Sequence, residues 1–169
     1  MTPLLPLIDS ERTPMEQVLG RNAHLLAAYR DFYGTLWDDD VLPARLLELT
    51  RLLIAKEHFC DAEFAIRHSD AGVSDSEVDR LGEWRSIDSL SSAEQAALTY
   101  AQQIPWSHHQ ITDAEVDAVK AELGDAGFVA LNFAATFFDA NCRLRLLFEM
   151  PSSVTEPVKA PASASGTFY

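Results

Sequence analysis

The amino-acid sequence predicts an all-α fold, a compact multi-helix bundle, on two observations. Apolar residues recur every three to four positions along most of the chain, whereas the strict alternation typical of β-strands is absent. Four segments also begin with a capping box, in which a Ser or Thr precedes a Glu by three residues and both side chains bond free amides at a helix start. The four pairs are Thr13/Glu16, Ser74/Glu77, Ser91/Glu94 and Thr112/Glu115.

Further helices follow from apolar stripes taken in chain order. The first helix starts at Pro14, where a missing amide costs nothing. A second carries a stripe on one face, formed by Leu25, Tyr29, Phe32, Leu36 and Trp37. A third covers residues 42–54 and is opened by Pro43. A fourth is expected over residues 57–71, ending at Gly72 in a left-handed cap.

The last helix, expected over residues 127–149, carries two apolar stripes. One consists of Phe128, Leu131, Ala135, Phe138, Cys142 and Leu146, and the other of Val129, Phe133, Phe137, Ala140, Leu144 and Leu147. A helix that is apolar on two sides must be covered on two sides. The domain core covers one of them, and we expect a second subunit to cover the other, which predicts a homo-oligomer.

Length and composition indicate one globular domain. A chain of 169 residues fits a single domain, and 47% hydrophobic with 23% charged residues is typical of folded proteins. We expect this domain over residues 1–151 and a disordered tail over 152–169, where Pro, Ser, Ala and Thr dominate without periodicity. The formal charge of −13 and the lack of a Lys/Arg cluster argue against a nucleic-acid partner.

The same sequence favours a cytoplasmic protein. Residues 1–14 lack the basic and apolar regions of a secretory signal. The longest uncharged apolar run, residues 126–138, is too short for a membrane helix of about 20 residues. Cys60 and Cys142 cannot form a disulfide framework, which suits a reducing compartment, and the sequence alone does not show whether they pair.

The residues with chemical potential concentrate between positions 48 and 68. That segment mixes apolar residues with a cysteine, an aspartate, two histidines and three glutamates: Glu48, Glu57, His58, Cys60, Asp61, Glu63 and His68. On one continuous helix Cys60, Glu63 and Arg67 share a face. Glu48 belongs to the preceding helix and reaches Cys60 only if the chain turns near residues 56–59.

Such a group has both a chemical and a structural interpretation. A carboxylate in an apolar pocket has a raised pKa and exchanges protons near neutral pH, while a cysteine beside a base forms a nucleophilic thiolate. Alternatively, Glu63 and Arg67 form a solvated ion pair worth about 0.3–0.5 kcal/mol, Cys60 is a small buried hydrophobe, and Glu48 is a surface residue. His58 and His68 can likewise be surface or packing residues.

Metal and nucleotide sites find no support in the sequence. His108 and His109 are adjacent and point to different faces of a helix, and no paired Cys/His spacing accompanies them. A glycine-rich phosphate loop and a GxSxG motif are also missing from the sequence. We therefore expect neither a metal nor a cofactor.

Several segments resemble the carboxymuconolactone decarboxylase / alkyl hydroperoxidase D family. The run LPARLLELTRLLIAKEHFC is similar to the family helix in which a glutamate precedes a reactive cysteine by roughly three turns, as Glu48 precedes Cys60. DAGVSDSEVDRL, LSSAEQAALTYAQQI and the two C-terminal helices follow in the family's order, so the likeness covers residues 18–151. The resemblance implies a helical bundle of the alkyl hydroperoxidase D-like type with a small apolar pocket, often shared between subunits.

The chain departs from the family's redox motif, Cys-x-x-Cys followed by His one turn later. If Cys60 is the first cysteine, Glu63 takes the place of the second and Arg67 that of the histidine. If the alignment is anchored on Gly72, Glu57 and Cys60 take the cysteine positions and Phe64 the histidine position. Neither register restores the motif, and no second thiol lies nearby in sequence, which disfavours disulfide-reductase chemistry.

Three functions remain. The leading hypothesis is a cofactor-free acid/base enzyme, such as a decarboxylase or isomerase, acting on a small organic acid or lactone. The candidate catalytic residues are Glu48, Cys60, Glu63 and His68, and the candidate substrate-binding residues are Glu57, His58 and Arg67. The second hypothesis is a Cys60-dependent hydroperoxide reductase that uses an external reductant. The third is a non-catalytic ligand-binding or structural oligomer.

Overall fold

The computed structural model describes residues 3–38, 42–152, 154, 156–161 and 169. Within these residues the chain forms α-helices, two short 3₁₀ segments and no β-strand, which confirms the all-α prediction. The helices are α1 (Pro14–Leu19), α2 (Ala23–Asp38), α3 (Ala44–Glu57), α4 (Asp61–Phe64), α5 (Asp75–Asp79), α6 (Ser92–Ala101), α7 (Ile104–Ser107) and α8 (Asp113–Leu147).

Helix α3 lies at the centre of the bundle, packed against α4, α6, α7 and α8. One of its faces joins a core with α1, α2 and α8, in which Leu46, Leu47 and Ile54 are buried. The opposite face of α3 joins a second core with α5, α6 and the 3₁₀ segment Leu81–Ser86, and Leu49, Leu52 and Leu53 are buried there. Because neighbours cover the helix on both sides, its charged residues in the middle turns are buried as well.

All four predicted capping boxes are present, and each starts a helix. At the start of α8, the amide of Thr112 donates to Oε2 of Glu115 at 2.8 Å, and the amide of Glu115 donates to Oγ1 of Thr112 at 3.3 Å. The boxes at Thr13, Ser74 and Ser91 have the same reciprocal bonds. The caps therefore fix where α1, α5, α6 and α8 begin.

The prediction of a helix over residues 57–71 is wrong. Helix α3 ends at Glu57, the chain turns at Phe59 with φ of 53°, and only Asp61–Phe64 resumes a helix. After α4, the side chain of Arg51 keeps the chain from resuming a helix, since it donates to the main-chain oxygens of Glu63 at 3.0 Å and Ile66 at 2.5 Å. In a continuing helix those oxygens accept from amides four residues later.

Helix α8 includes the predicted last helix and extends it towards the N-terminus. The segment capped by Thr112 leads directly into the segment predicted over 127–149. The two are separated only by Gly124, where the backbone is non-helical with φ of 68°. The first apolar stripe is largely buried, with Leu131, Ala135, Phe138 and Cys142 at 0% exposure. Val129, Phe133 and Leu147 of the second stripe are 54%, 61% and 66% exposed, and the homo-oligomer stays a prediction.

Part of the predicted tail contacts the loop after α4. The amide of Val158 donates to the oxygen of Arg67, and the amide of Ser69 donates to the oxygen of Val158, both at 2.7 Å. Residues 153, 155 and 162–168 lie outside the described part of the chain, and tail disorder stays a prediction. None of the described helices has the length and apolar character needed to cross a membrane.

The cap at Thr112 can be tested by substitution. Thr112→Ala removes the acceptor for the Glu115 amide, so we expect the free energy of unfolding to fall by about 1 kcal/mol. For a chain of this size that corresponds to a lower midpoint of thermal unfolding by about 2–4 °C. Thr136→Ala, the same change at an exposed position inside α8, is the control and should leave stability equal or slightly higher, because alanine is the better helix former. Equal effects of the two changes would contradict the capping role.

Candidate functional site

Charged side chains form a buried cluster between α3, α4 and α8. Arg51 is 0% exposed and binds Glu48 through two bonds, from Nε to Oε2 at 3.0 Å and from Nη2 to Oε1 at 2.9 Å. Its Nη1 donates to Oε1 of Glu63 at 2.8 Å. The other oxygen of Glu63 accepts from Nε of Arg145 at 2.5 Å. The charges therefore alternate in sign along the cluster, as burial of ions requires.

His68 closes the cluster at the Glu48 end. Its main-chain amide donates to Oε1 of Glu48 at 2.9 Å. Its Nδ1 lies 2.9 Å from Oε2 of Glu48 but off the direction of a hydrogen bond, so this contact is electrostatic. The imidazole ring packs edge-on against Trp37, with 4.4 Å between ring centroids. His68 therefore supports Glu48 from inside the protein.

The ion pairs set the proton affinity of the two buried carboxylates. Burial raises the pKa of Glu48, but attraction to Arg51 and then contact with His68 outweigh it and bring the pKa to about 2. Burial also raises the pKa of Glu63, and Arg145 and then Arg51 turn the net shift downward. The raised pKa expected of a carboxylate in an apolar pocket is therefore wrong for both, because each has a guanidinium partner.

Cys60 and Cys142 meet beside this cluster, although 82 residues separate them in sequence. Cys60 occupies the turn between α3 and α4, Cys142 lies on α8, and their exposures are 1% and 0%. Sγ of Cys60 lies 3.9 Å from the main-chain oxygen of Cys142. A hydrogen bond from the Cys142 thiol lowers the pKa of Cys60, and that bond together with burial raises the pKa of Cys142. Both cysteines are free thiols.

A cavity of about 330 Å³ opens next to Cys60 and Arg145. Phe59 and Glu149 also line it, and they are the non-glycine residues with positive φ among those that the structure describes, at 53° and 50°. This backbone conformation is costly for residues with a side chain and is concentrated at functional sites. The cavity therefore combines a thiol, a cation and two strained turns.

The remaining predicted site residues lie elsewhere. Oε1 of Glu57 accepts from Gln102 at 2.8 Å. Nε2 of His58 lies 2.6 Å from Asp139, and His58 lines a second cavity of about 340 Å³ with Trp106 and Arg143. Arg67 pairs with an exposed aspartate, Asp75, at 3.3 Å. The structure thus groups Glu48, Glu63 and His68 in the cluster, with Cys60 beside it, and separates Glu57, His58 and Arg67 from them.

Sequence reasoning missed two residues of the site, Arg51 and Arg145, and left open whether Cys142 meets Cys60. Arg51 and Arg145 stand among leucines in segments that form helices, and a charge inside an apolar face was the available signal. Nothing in the sequence brings Cys142 to Cys60, because their contact depends on how α8 packs against the turn after α3. In the described part of the chain, His, Cys, Asp and Glu side chains form no group of three suited to a metal ion.

Another cavity, larger than the one beside Cys60, is separate from this site. It has a volume of about 510 Å³ and lies between α2 and α8, next to the exposed stripe of α8. Its lining consists of Thr35, Leu36, Leu42, Asp125, Ala126, Val129, Ala130 and Phe133. Because this lining offers neither a thiol nor a cation, we place the candidate site at Cys60.

The pKa of Glu48 can be tested through protein stability. Glu48→Gln leaves Arg51 and His68 facing a neutral amide, so we expect the free energy of unfolding at neutral pH to fall by about 3 kcal/mol. A carboxyl group whose folded-state pKa is lowered stabilises the fold above its ordinary pKa of 4.5 and loses that contribution as pH falls towards about 2. Urea unfolding of both proteins across this range should show the difference shrinking between these values.

Glu83→Gln, at an exposed position, is the matched control and should change stability little at any pH. If Glu48→Gln were as stable as the wild type at neutral pH, the ion pairs would not stabilise the cluster.

Comparisons with known proteins leave the family open. The chain matches no model of a known protein family, and no curated protein sequence is significantly similar to it. The resemblance to carboxymuconolactone decarboxylases and alkyl hydroperoxidase D therefore stays a prediction from the sequence.

Proposed function

We propose that the protein is a thiol-dependent reductase of small organic hydroperoxides, with Cys60 as the nucleophile. The observation that carries the proposal is the contact between Cys60, which lines the cavity, and Cys142. Thiolates attack hydroperoxides, and the lowered pKa of Cys60 favours its thiolate form. The cavity beside Cys60 has room for a small organic molecule.

The reaction follows from the two thiols. The Cys60 thiolate attacks the terminal oxygen of the hydroperoxide, the O–O bond breaks, and the alkoxide takes up a proton and leaves as an alcohol. The sulfenic acid on Cys60 is then attacked by the sulfur of Cys142, which forms the disulfide and releases water. A dithiol reductant from outside the protein restores both thiols. The sum is hydroperoxide plus dithiol to alcohol, water and disulfide.

Cys142 answers an objection that the sequence raised. A cysteine peroxidase that forms an internal disulfide needs a resolving thiol close to the first one. Sequence reasoning found no second thiol near Cys60 in sequence, because neither register of the resemblance restores the family's pair of cysteines. The contact between α8 and the turn after α3 supplies one from a distant part of the chain.

The acid/base hypothesis is the weaker proposal. It assigns proton transfer to Glu48, whose carboxylate is 1% exposed and bound to Arg51 and His68. With a pKa of about 2, this carboxylate is a weak base at neutral pH, where general bases work best with pKa values close to the ambient pH. Glu48 instead stabilises the fold by balancing the charge of Arg51.

We also propose that the chain is a divergent member of the carboxymuconolactone decarboxylase / alkyl hydroperoxidase D family. The order of its resembling segments and its all-α fold support this proposal. A cytoplasmic location accords with it, since two thiols that must be reduced after each turnover need a supply of reductant. The exposed apolar stripe of α8 supports self-association.

Peroxide consumption tests the function directly. With dithiothreitol as reductant, we expect the wild-type protein to consume cumene hydroperoxide catalytically, and Cys60→Ser to reduce the rate to that of dithiothreitol alone. Stoichiometric peroxide without reductant should produce the Cys60–Cys142 disulfide in the wild type, seen by peptide mass spectrometry. The rate of Cys60 oxidation should rise with pH through a midpoint below that of an ordinary thiol, because its pKa is lowered.

Cys142→Ser is the matched variant, because it makes the same change at the cysteine that contacts Cys60 in the fold. It should still form a sulfenic acid on Cys60, trapped by dimedone, but no internal disulfide. Circular dichroism must show that both variants keep the helical fold. Full activity of folded Cys60→Ser would disprove the proposal.

A further inference from the structure

Arg145 has hydrogen-bonding capacity that the protein does not use. A guanidinium carries five N–H donors. In Arg145, Nε donates to Glu63 and Nη2 to the main-chain oxygen of Tyr169, while Nη1 has no acceptor among the described residues. The residue is 2% exposed, and a buried donor without a partner is energetically costly. Such a group is suited to an acceptor brought by a ligand.

Arg145 also lacks a carboxylate of its own in a two-bond pair, because one oxygen of Glu63 binds Arg145 and the other binds Arg51. The oxygen of Tyr169 is a main-chain acceptor from the tail, and it occupies the position that a ligand oxygen would take. A carboxylate is the favoured replacement for it, because its two oxygens accept two parallel charge-assisted hydrogen bonds from one guanidinium.

The cavity beside Arg145 fits the rest of such a ligand. Phe59, Leu146 and Met150 give its wall apolar surface, and its volume of about 330 Å³ suits a small aryl or alkyl group. Asp61 and Glu149 also lie on the wall and repel anions. An anionic ligand therefore binds here only if its charge reaches Arg145 directly.

We propose that Arg145 binds the carboxylate of the substrate, so that the preferred substrates are carboxylic acids that carry a hydroperoxide on a small apolar body. Nη1 and Nη2 hold the two carboxylate oxygens in place of Tyr169, and the hydroperoxide end faces Cys60. This inference rests on the proposed function for the reaction, but not for the binding. Arg67, the cation predicted from the sequence to bind the substrate, pairs with Asp75 instead.

Binding of an unreactive analogue tests the inference without any turnover. The probes are para-isopropylbenzoate and the uncharged amide of the same shape. The chain has three methionines, of which Met150 lines the cavity and Met15 is buried in the core at 0% exposure. With ¹³C-methyl methionine labelling, we expect the benzoate to shift the Met150 signal and leave Met15 unchanged, and the amide to bind about tenfold more weakly or worse. Equal binding of both probes would overturn the proposal.

Kinetics with two peroxides extend the test to the reaction. In the wild type, kcat/KM for para-carboxycumene hydroperoxide should exceed that for cumene hydroperoxide by about tenfold or more. Arg145→Lys keeps the positive charge but loses the planar pair of N–H donors that a guanidinium offers to a carboxylate. The ratio of the two kcat/KM values should therefore fall towards one, mainly through KM. Arg143→Lys, on the same helix but 47% exposed, should leave the ratio unchanged.

The outcomes separate the two proposals. If neither peroxide is consumed but the benzoate binds selectively, the redox function fails and the carboxylate site stands. If both peroxides are consumed at the same kcat/KM, the function stands and the role of Arg145 is wrong. If Arg145→Lys does not fold, selectivity between benzoate and amide in the wild type decides the question alone.

Discussion

The burial of Arg51 between Glu48 and Glu63 is the interaction on which the rest of the structure depends. A guanidinium at 0% exposure needs every donor directed at an acceptor, and Arg51 meets this need with two carboxylates and the main-chain oxygens of Glu63 and Ile66. Those two oxygens hold the segment after α3 in a non-helical path. The same ion pairs therefore determine both the electrostatics of the interior and the course of the chain around Cys60.

How much the sequence could predict depends on the range of the interactions involved. Capping boxes and apolar stripes act within a few residues, and they predicted the starts of α1, α5, α6 and α8 and the all-α class. The helix predicted over 57–71 is interrupted by the turn at Phe59, and after α4 a side chain from the preceding helix, Arg51, competes for the main-chain oxygens. Local periodicity contains no information about such a competitor.

The candidate site was predictable in part for the same reason. Glu48, Cys60, Glu63 and His68 lie close together in sequence, and a cluster of chemically active residues there indicated a common location. Their partners Arg145 and Cys142 come from α8, and only the packing of α8 against the turn after α3 brings them in. Glu48, a predicted catalytic residue, is therefore part of a network of ion pairs, and Cys60 lies next to Cys142.

The turn at Phe59 shows why the thiol site and the charge cluster belong together. Its left-handed backbone is costly for a phenylalanine, and the side chain gains nothing from burial because it is 87% exposed. Contacts on either side hold it: the amide of Cys60 donates to Ala55 at 2.9 Å, and His58 bonds Asp139 of α8. Since Glu63 and Arg145 already join α4 to α8, a disulfide between Cys60 and Cys142 would link elements that are in contact in the reduced protein.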